Sequence, residues 1–364
     1  MNTPSVPLID WLIHNAPKAK YVLSFSNIQG LSFDYFNNIT NFNIPEDFDL
    51  GINSHAGSES LVSILSEMYN TNQGHIVTTS GGSEANFLVY YSLLSANDEV
   101  IVEQPGYQPL WLTPASFEAK IRFLNRDMNH GFSIDIDRLH EFMTSKTKLI
   151  VLTNLHNPSG VCLKRNVLED ISKLASDSDC NVLIDEIFLD GCFNDQKSAF
   201  GLPNVIITSS MTKIYGLGGL RTGWILSSEE STKEFQRAKV HTTVGSSFLS
   251  EEMSAAALMS ARDVLKNRFQ RHAKTNFDIM KEWVNENKEI VDWIEPDGGL
   301  FCFIKYSNNL NSIDLCEQLL EKHRVLVCPG SYFGLDNFFR LSYNCDEHLL
   351  RKALEEIAIF LHTT

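Results

Sequence analysis

Apolar and polar positions settle into a regular pattern from about residue 58. Residues 59–69 (ESLVSILSEMY) carry apolar side chains at helical spacing, and HIVTTS at 75–80 follows as a strand ending in a Gly-containing turn. Residues 83–95 again read as helix, and the apolar run EVIVEQ comes next. Four further runs complete the series: KLIVLT at 148–153, NVLIDEIF at 181–188, NVIITSS at 204–210 and TGWILS at 222–227. Continuous Val, Ile and Leu between helical stretches marks strands buried on both faces. The pattern therefore predicts an α/β fold, a three-layer α/β/α large domain with a mostly parallel sheet.

Near residue 260 the pattern changes. A long amphipathic stretch at 261–288 leads into VDWIEPDGGLFCFIKY, which predicts two strands joined by a turn. RVLVCPG and FFRLSY are further strand candidates, and DEHLLRKALEEIAIFLH closes the chain as a helix. This block reads as a smaller α+β domain. The division predicted is a large domain over 46–260 and a small one from 1–45 and 261–364, the N-terminal residues folding back onto the second block. A length of 364 residues agrees with two cores.

Ligands of an open α/β sheet gather outside the carboxyl ends of its strands. The polar residues that end the apolar runs are Ser80, Asn157, Asp185 and Ser210, so these are expected along one edge. The formal net charge of −15 argues against a nucleic-acid partner, whose phosphates require clustered Lys and Arg. It leaves room for a small anion held by a few enclosed cations. No apolar run reaches the roughly 18 residues of a membrane span, and the N-terminus lacks the basic start and apolar stretch of a signal peptide. The seven cysteines include no C-x-x-C pair, which reads as free thiols in a reducing, cytoplasmic setting.

The chemistry concentrates in SSMTKIYGLGGLRTGW at 209–224. Lys213 follows a buried strand, Ser210 lies three residues before it, and Arg221 lies eight after, beyond a Gly-rich turn. A lone lysine in such a place is ordinarily a surface residue. Here a hydroxyl and a guanidinium fork suited to phosphate flank it. SGGSEANF at 80–87 turns from strand to helix, where the free N–H groups of Gly82 and Ser83 suit an anion, although an ordinary turn explains the glycines equally well. HNPSG at 156–160 holds Asn157 extended before proline. Asp185 in DEIF ends an apolar strand, where a bare carboxylate is costly, so a cationic partner is expected. Tyr107 in EQPGYQPLW follows a turn, and Arg340 in FFRLSY interrupts an apolar strand.

Taken in order, these motifs resemble the class I/II aminotransferases, fold type I of the pyridoxal-phosphate enzymes. The S-x-x-K…R-x-G segment matches Ser210, Lys213, Arg221 and Gly223, and the likeness runs over roughly residues 45–345. The resemblance implies that Lys213 carries pyridoxal 5′-phosphate as a Schiff base and serves as the catalytic base. It implies that Asp185 pairs with the ring nitrogen, that Asn157 meets the phenolic oxygen and that Tyr107 stacks on the ring. Gly82, Ser83, Ser210 and Arg221 take the phosphate, and Arg340 grips the substrate α-carboxylate, with Asn27 and Asn157 beside it. A homodimer acting on an L-amino acid and a 2-oxo acid follows from the same resemblance.

Several positions depart from the family. Phe188 stands where a tyrosine often meets the cofactor phenolate, and its missing hydroxyl implies a Schiff base that stays protonated to higher pH. Ile52 aligns with an N-terminal tyrosine that reaches the partner subunit's phosphate, with Asn53 or His55 as substitutes. No second arginine suits a dicarboxylic substrate. SNIQGLSFDYF at 26–36 is similar to the capreomycidine-synthase-like branch, which cyclises an arginine derivative. A lyase or cyclase on the same scaffold is therefore the alternative, and a non-catalytic ligand-binding protein a third.

Overall fold

In this computed structural model residues 4–48, 51 and 54–364 are described. The chain opens with α1 (Pro7–Asn15), a two-residue strand β1 (Tyr21–Val22) and α2 (Phe33–Thr40). α3 (Glu59–Tyr69) begins at Ser58, whose hydroxyl accepts from the Leu61 N–H, and leads to β2 (Ile76–Thr79) and α4 (Gly82–Leu93). Then follow β3 (Glu99–Gln104), β4 (Lys120–Asn125), β5 (Thr147–Thr153), β6 (Asn181–Asp185), β7 (Val205–Ser210) and β8 (Gly223–Leu226).

β2 to β8 form one sheet in the order β2-β8-β7-β6-β5-β3-β4. β3 to β7 run parallel, and β8 is antiparallel to both its neighbours. Alternation along each strand divides its side chains between two cores. Ile101, Ile150 and Leu152 enter the cluster that holds Leu61 and Leu65, whereas Val100, Val102 and Val151 enter the one that holds Leu88 and Val89. Each such side chain contributes roughly 1.5–3 kcal/mol on burial, which is why the runs read as uninterrupted apolar sequence.

One connection differs from expectation. Between Asp185 and Lys213 the sequence leaves room for a crossover helix, yet only a 3-10 turn at Leu189–Gly191 precedes β7. Gly191 is pressed against Ile214 and Phe269, and after Phe193, which packs on Phe277, NDQKS carries polar, turn-forming residues at no helical apolar spacing.

The last block has a 25-residue helix, Arg262–Glu286, and strands β9 (Val291–Trp293), β10 (Phe301–Tyr306), β11 (Val325–Leu326), β12 (Cys328–Pro329) and β13 (Phe338–Ser342). Four of these make an antiparallel sheet ordered β12-β13-β10-β9. β1 pairs in parallel with β11. α2 sits elsewhere, its Phe36 buried in the cluster of Leu61 and Leu258. No described helix is long and apolar enough to cross a membrane.

Candidate active site

A cavity of about 250 Å³ opens at the carboxyl ends of β5, β6 and β7. Lys213, Asp185, Asn157 and Arg340 line it, joined by Tyr107, Arg221, Asn27, Gly82 and Ser83. Residues far apart in sequence thus meet around one space.

Lys213 is half-buried, with its Nζ donating to Ser26 Oγ at 3.2 Å. Burial brings its pKa down to about 8; Arg340 and Arg221 push the same way, and Asp185 opposes them. The neutral amine grows as pH rises through the pKa, so labelling of the apoprotein by an aldehyde reagent should climb with a midpoint near 8, against 10.5 for a free lysine. Rates of borohydride-trapped labelling across pH measure this. Arg340→Ala removes a cation that disfavours the charged amine, and the midpoint should move up; an unshifted midpoint would contradict the coupling.

Asp185 is only 7% exposed. Its Oδ2 accepts from Asn86 Nδ2 at 3.0 Å and its Oδ1 from the Ile187 N–H at 3.1 Å. Asn86 is itself held by the Thr208 hydroxyl at 2.7 Å. Burial pushes the Asp185 pKa up, and these donors pull it back. Among the described residues no basic side chain reaches ion-pairing distance of it, so a structural salt bridge is not what holds it; neutral donors hold the carboxylate from behind.

Arg340 lies in the middle of β13, 3% exposed, with its guanidinium 4.9 Å from the Phe333 ring centroid and 5.7 Å from that of Phe301. Its Nη1 donates to Asn157 Oδ1 at 2.9 Å and its Nη2 to the Ser24 carbonyl at 2.7 Å. Arg340 Nε and Ser24 Oγ are buried with no hydrogen-bond partner among the described residues, two polar atoms at the cavity wall that suit a carboxylate. Asn157 is anchored from below: its N–H donates to Thr153 Oγ1 at 3.1 Å. Thr153 donates from N–H and hydroxyl to Glu103, which is paired with Arg126 at 2.6 Å.

The opposite end is built from the start of α4. Gly81 has φ +86°, and a Cβ there would stand 2.5 Å from Arg221 Nη2; one on Gly223 would stand 2.6 Å from the Gly81 carbonyl carbon. Only glycines allow this approach, which brings the Arg221 fork beside the first N–H groups of α4. Ser210 is not among the side chains facing the cavity: its Oγ accepts the Thr212 N–H at 3.2 Å, a turn contact. Asn27 does face it, though its amide donates to the adjacent Ile28 carbonyl at 3.3 Å. His55 lies away from the cavity, bonded through Nδ1 to Val244 O at 2.9 Å, and Ile52 and Asn53 fall outside the described residues. The Phe188 ring meets Phe301 edge-on, with centroids 4.9 Å apart.

Residues 23–28 form a strap across this space. Leu23 N–H donates to Leu326 O at 2.9 Å, Ser24 holds Arg340, Ser26 holds Lys213, and Ile28 N–H donates to Lys213 O at 3.2 Å. Ser24, Ser26 and Asn86 also line the cavity; Ser26 and Asn86 fall inside SNIQGLSFDYF and SGGSEANF, where nothing in the motifs assigns them a role. Asn86 lies one helical turn after Gly82, a spacing that points to it once the helix is placed.

From end to end the cavity offers an anion seat, a carboxylate awaiting a cation, a depressed-pKa amine and a carboxylate clamp. A planar, phosphorylated heteroaromatic aldehyde bearing a basic ring nitrogen fits that row. A model of the family described as aminotransferase class I and II matches residues 51–357. Capreomycidine synthase of Streptomyces vinaceus is 29% identical over 99% of this chain and 94% of its own. The aspartate aminotransferase of Thermotoga maritima is 25% identical over 79% of this chain and 76% of its own. A solved PLP-dependent aminotransferase from Streptococcus suis 89-1591 superimposes with TM-score 0.92 at 27% identity, covering 100% of this chain and 99% of that one.

Proposed function

We propose, for a chain that belongs to the aminotransferase class I and II family, the transfer of amino groups between an L-amino acid and a 2-oxo acid. The cofactor is pyridoxal phosphate, which when bound acts as an electron sink for the bonds at the substrate Cα. Lys213 would hold it covalently, and Asp185, Asn157 and Tyr107 would take its ring nitrogen, its phenolic oxygen and its ring face. The N–H groups of Gly82 and Ser83, Arg221 and the Ser210 hydroxyl receive the phosphate; Ser210 would turn from its Thr212 contact to do so.

Arg340 then grips the α-carboxylate through its fork, with Asn157 and Asn27 bordering the substrate. Lys213 would remove the Cα proton and redeliver it. Its depressed pKa leaves a substantial neutral fraction near pH 8, the form a general base requires. The observation that carries this reading is the buried Asp185 carboxylate, held by neutral donors alone, in one cavity with Lys213 and Arg340. The working assembly we propose is a homodimer in the cytoplasm, as in the family it resembles.

A second reading keeps the cofactor and changes the outcome to elimination or cyclisation. Phe188 favours it, and so does the likeness to capreomycidine synthase, which takes in nearly the whole chain including the strap. Incubating the enzyme with single amino acids, with and without 2-oxoglutarate, separates the two. Transamination predicts that turnover requires the oxo acid. Product formed equally well without it would overturn the first reading in favour of the second.

A further inference from the structure

Cys162 and Cys192 are 30 residues apart in sequence, yet their Sγ atoms lie 2.7 Å apart, closer than unbonded sulfurs ordinarily rest. We propose that this pair is a modification site, which a low-molecular-weight disulfide such as glutathione disulfide closes into a disulfide that tethers the Asn157-bearing turn to the turn after Phe188.

Both cysteines are fastened to the same short strip, residues 296–299. The Cys162 N–H donates to Asp297 Oδ2 at 2.8 Å, and the Asp297 N–H donates to Gly160 O at 2.9 Å. On the other side the Phe193 N–H donates to Asp297 O at 2.8 Å, and the Gly299 N–H to Gly191 O at 3.0 Å. Cys192 bridges Gly298, whose missing Cβ would stand 2.4 Å from Cys192 Cα. Two main-chain segments fixed against one strip need little rearrangement to bring the sulfurs to the roughly 2.05 Å of a bond.

Access sets the order of events. Cys162 is half-buried and Cys192 is 3% exposed, so the external disulfide meets Cys162 first. The Cys162 thiolate attacks one glutathione sulfur and expels one glutathione thiolate, leaving a mixed disulfide. The Cys192 thiol then gives its proton to water and attacks the Cys162 sulfur, displacing the second glutathione. Two protein thiols are oxidised and one glutathione disulfide is reduced to two thiols. The hydrogen bond that the Cys192 thiol shares with Cys162, together with burial, pushes that thiol up, so the second step is the slower. Because the sulfurs are already adjacent, closure leaves the cavity in place and acts on stability, by shortening the free chain of the unfolded state.

The test treats the holoenzyme with glutathione disulfide, alkylates the remaining thiols and maps peptides by mass spectrometry. Of seven thiols, two should be lost and found in one Cys162–Cys192 linked peptide, and dithiothreitol should restore them. The oxidised enzyme should melt roughly 5 °C higher with kcat/KM changed less than about twofold. Cys192→Ser should retain glutathione on Cys162, and Cys162→Ser should take up none at Cys192. Glutathione persisting on Cys162 of the wild type, a link between any other pair, or an unchanged or lower melting temperature would overturn the proposal. Far-UV circular dichroism and cofactor absorbance establish that each variant is folded.

Discussion

Lys213→Ala should release all of its pyridoxal phosphate on denaturation after borohydride treatment, whereas the wild type retains it covalently. Its turnover should fall by on the order of 10⁴-fold, the full contribution of a positioned general base. Lys213 is the lysine that lines the cavity, whereas the fully buried Lys239 donates to the His55 carbonyl and the Thr78 hydroxyl. The variant keeps the Gly82–Arg221 seat and Asp185, so it should still take up the cofactor and colour, without the imine that borohydride traps. Visible absorbance and intact mass before and after reduction read both effects. If wild type and variant retain the cofactor in the same way, another residue is the anchor. If the wild type stays colourless with added cofactor, the fold serves ligand binding without catalysis.

Arg340→Ala should lower kcat/KM for the amino acid roughly 10²–10³-fold, mostly through KM, because a buried charge-assisted clamp is lost. Arg340→Lys should recover little of that. A lysine keeps the charge but not the fork that reaches Asn157, the Ser24 carbonyl and a substrate carboxylate together. Lys is also a poor filler between Phe301 and Phe333, where the flat guanidinium lies against both rings. Steady-state kinetics with the preferred amino acid measures the effect, with cofactor absorbance as the control for an intact site. An unchanged kcat/KM would remove Arg340 from substrate binding.

Much of this was legible in the sequence because burial on both faces leaves unbroken apolar runs. β4 escaped that signal: KIRFLN lies at the edge of the sheet and keeps polar side chains partly exposed. Asp185, which ends β6, and Asn157, in the turn four residues past the end of β5, stand out for the same reason, as polar punctuation after apolar runs. Asp185's neutral partner does not, since Asn86 comes from a helix face whose orientation only packing settles. Ser24 and Ser26 belong to a segment with no periodicity, placed by backbone bonds to strands some 300 residues away, such as Ser342 N–H to Leu23 O at 2.8 Å. Ser210 illustrates the converse, a motif residue whose hydroxyl is engaged by its own turn.

The strap also bears on how such an enzyme changes over evolutionary time. Six residues hold Arg340 at one end and the Lys213 amine at the other, so with the roles proposed for these two side chains recognition and reactivity share a single stretch of backbone. A lineage that alters this stretch to admit a new side chain also perturbs the amine's setting. New specificity and a new reaction outcome are therefore apt to arrive together rather than one at a time.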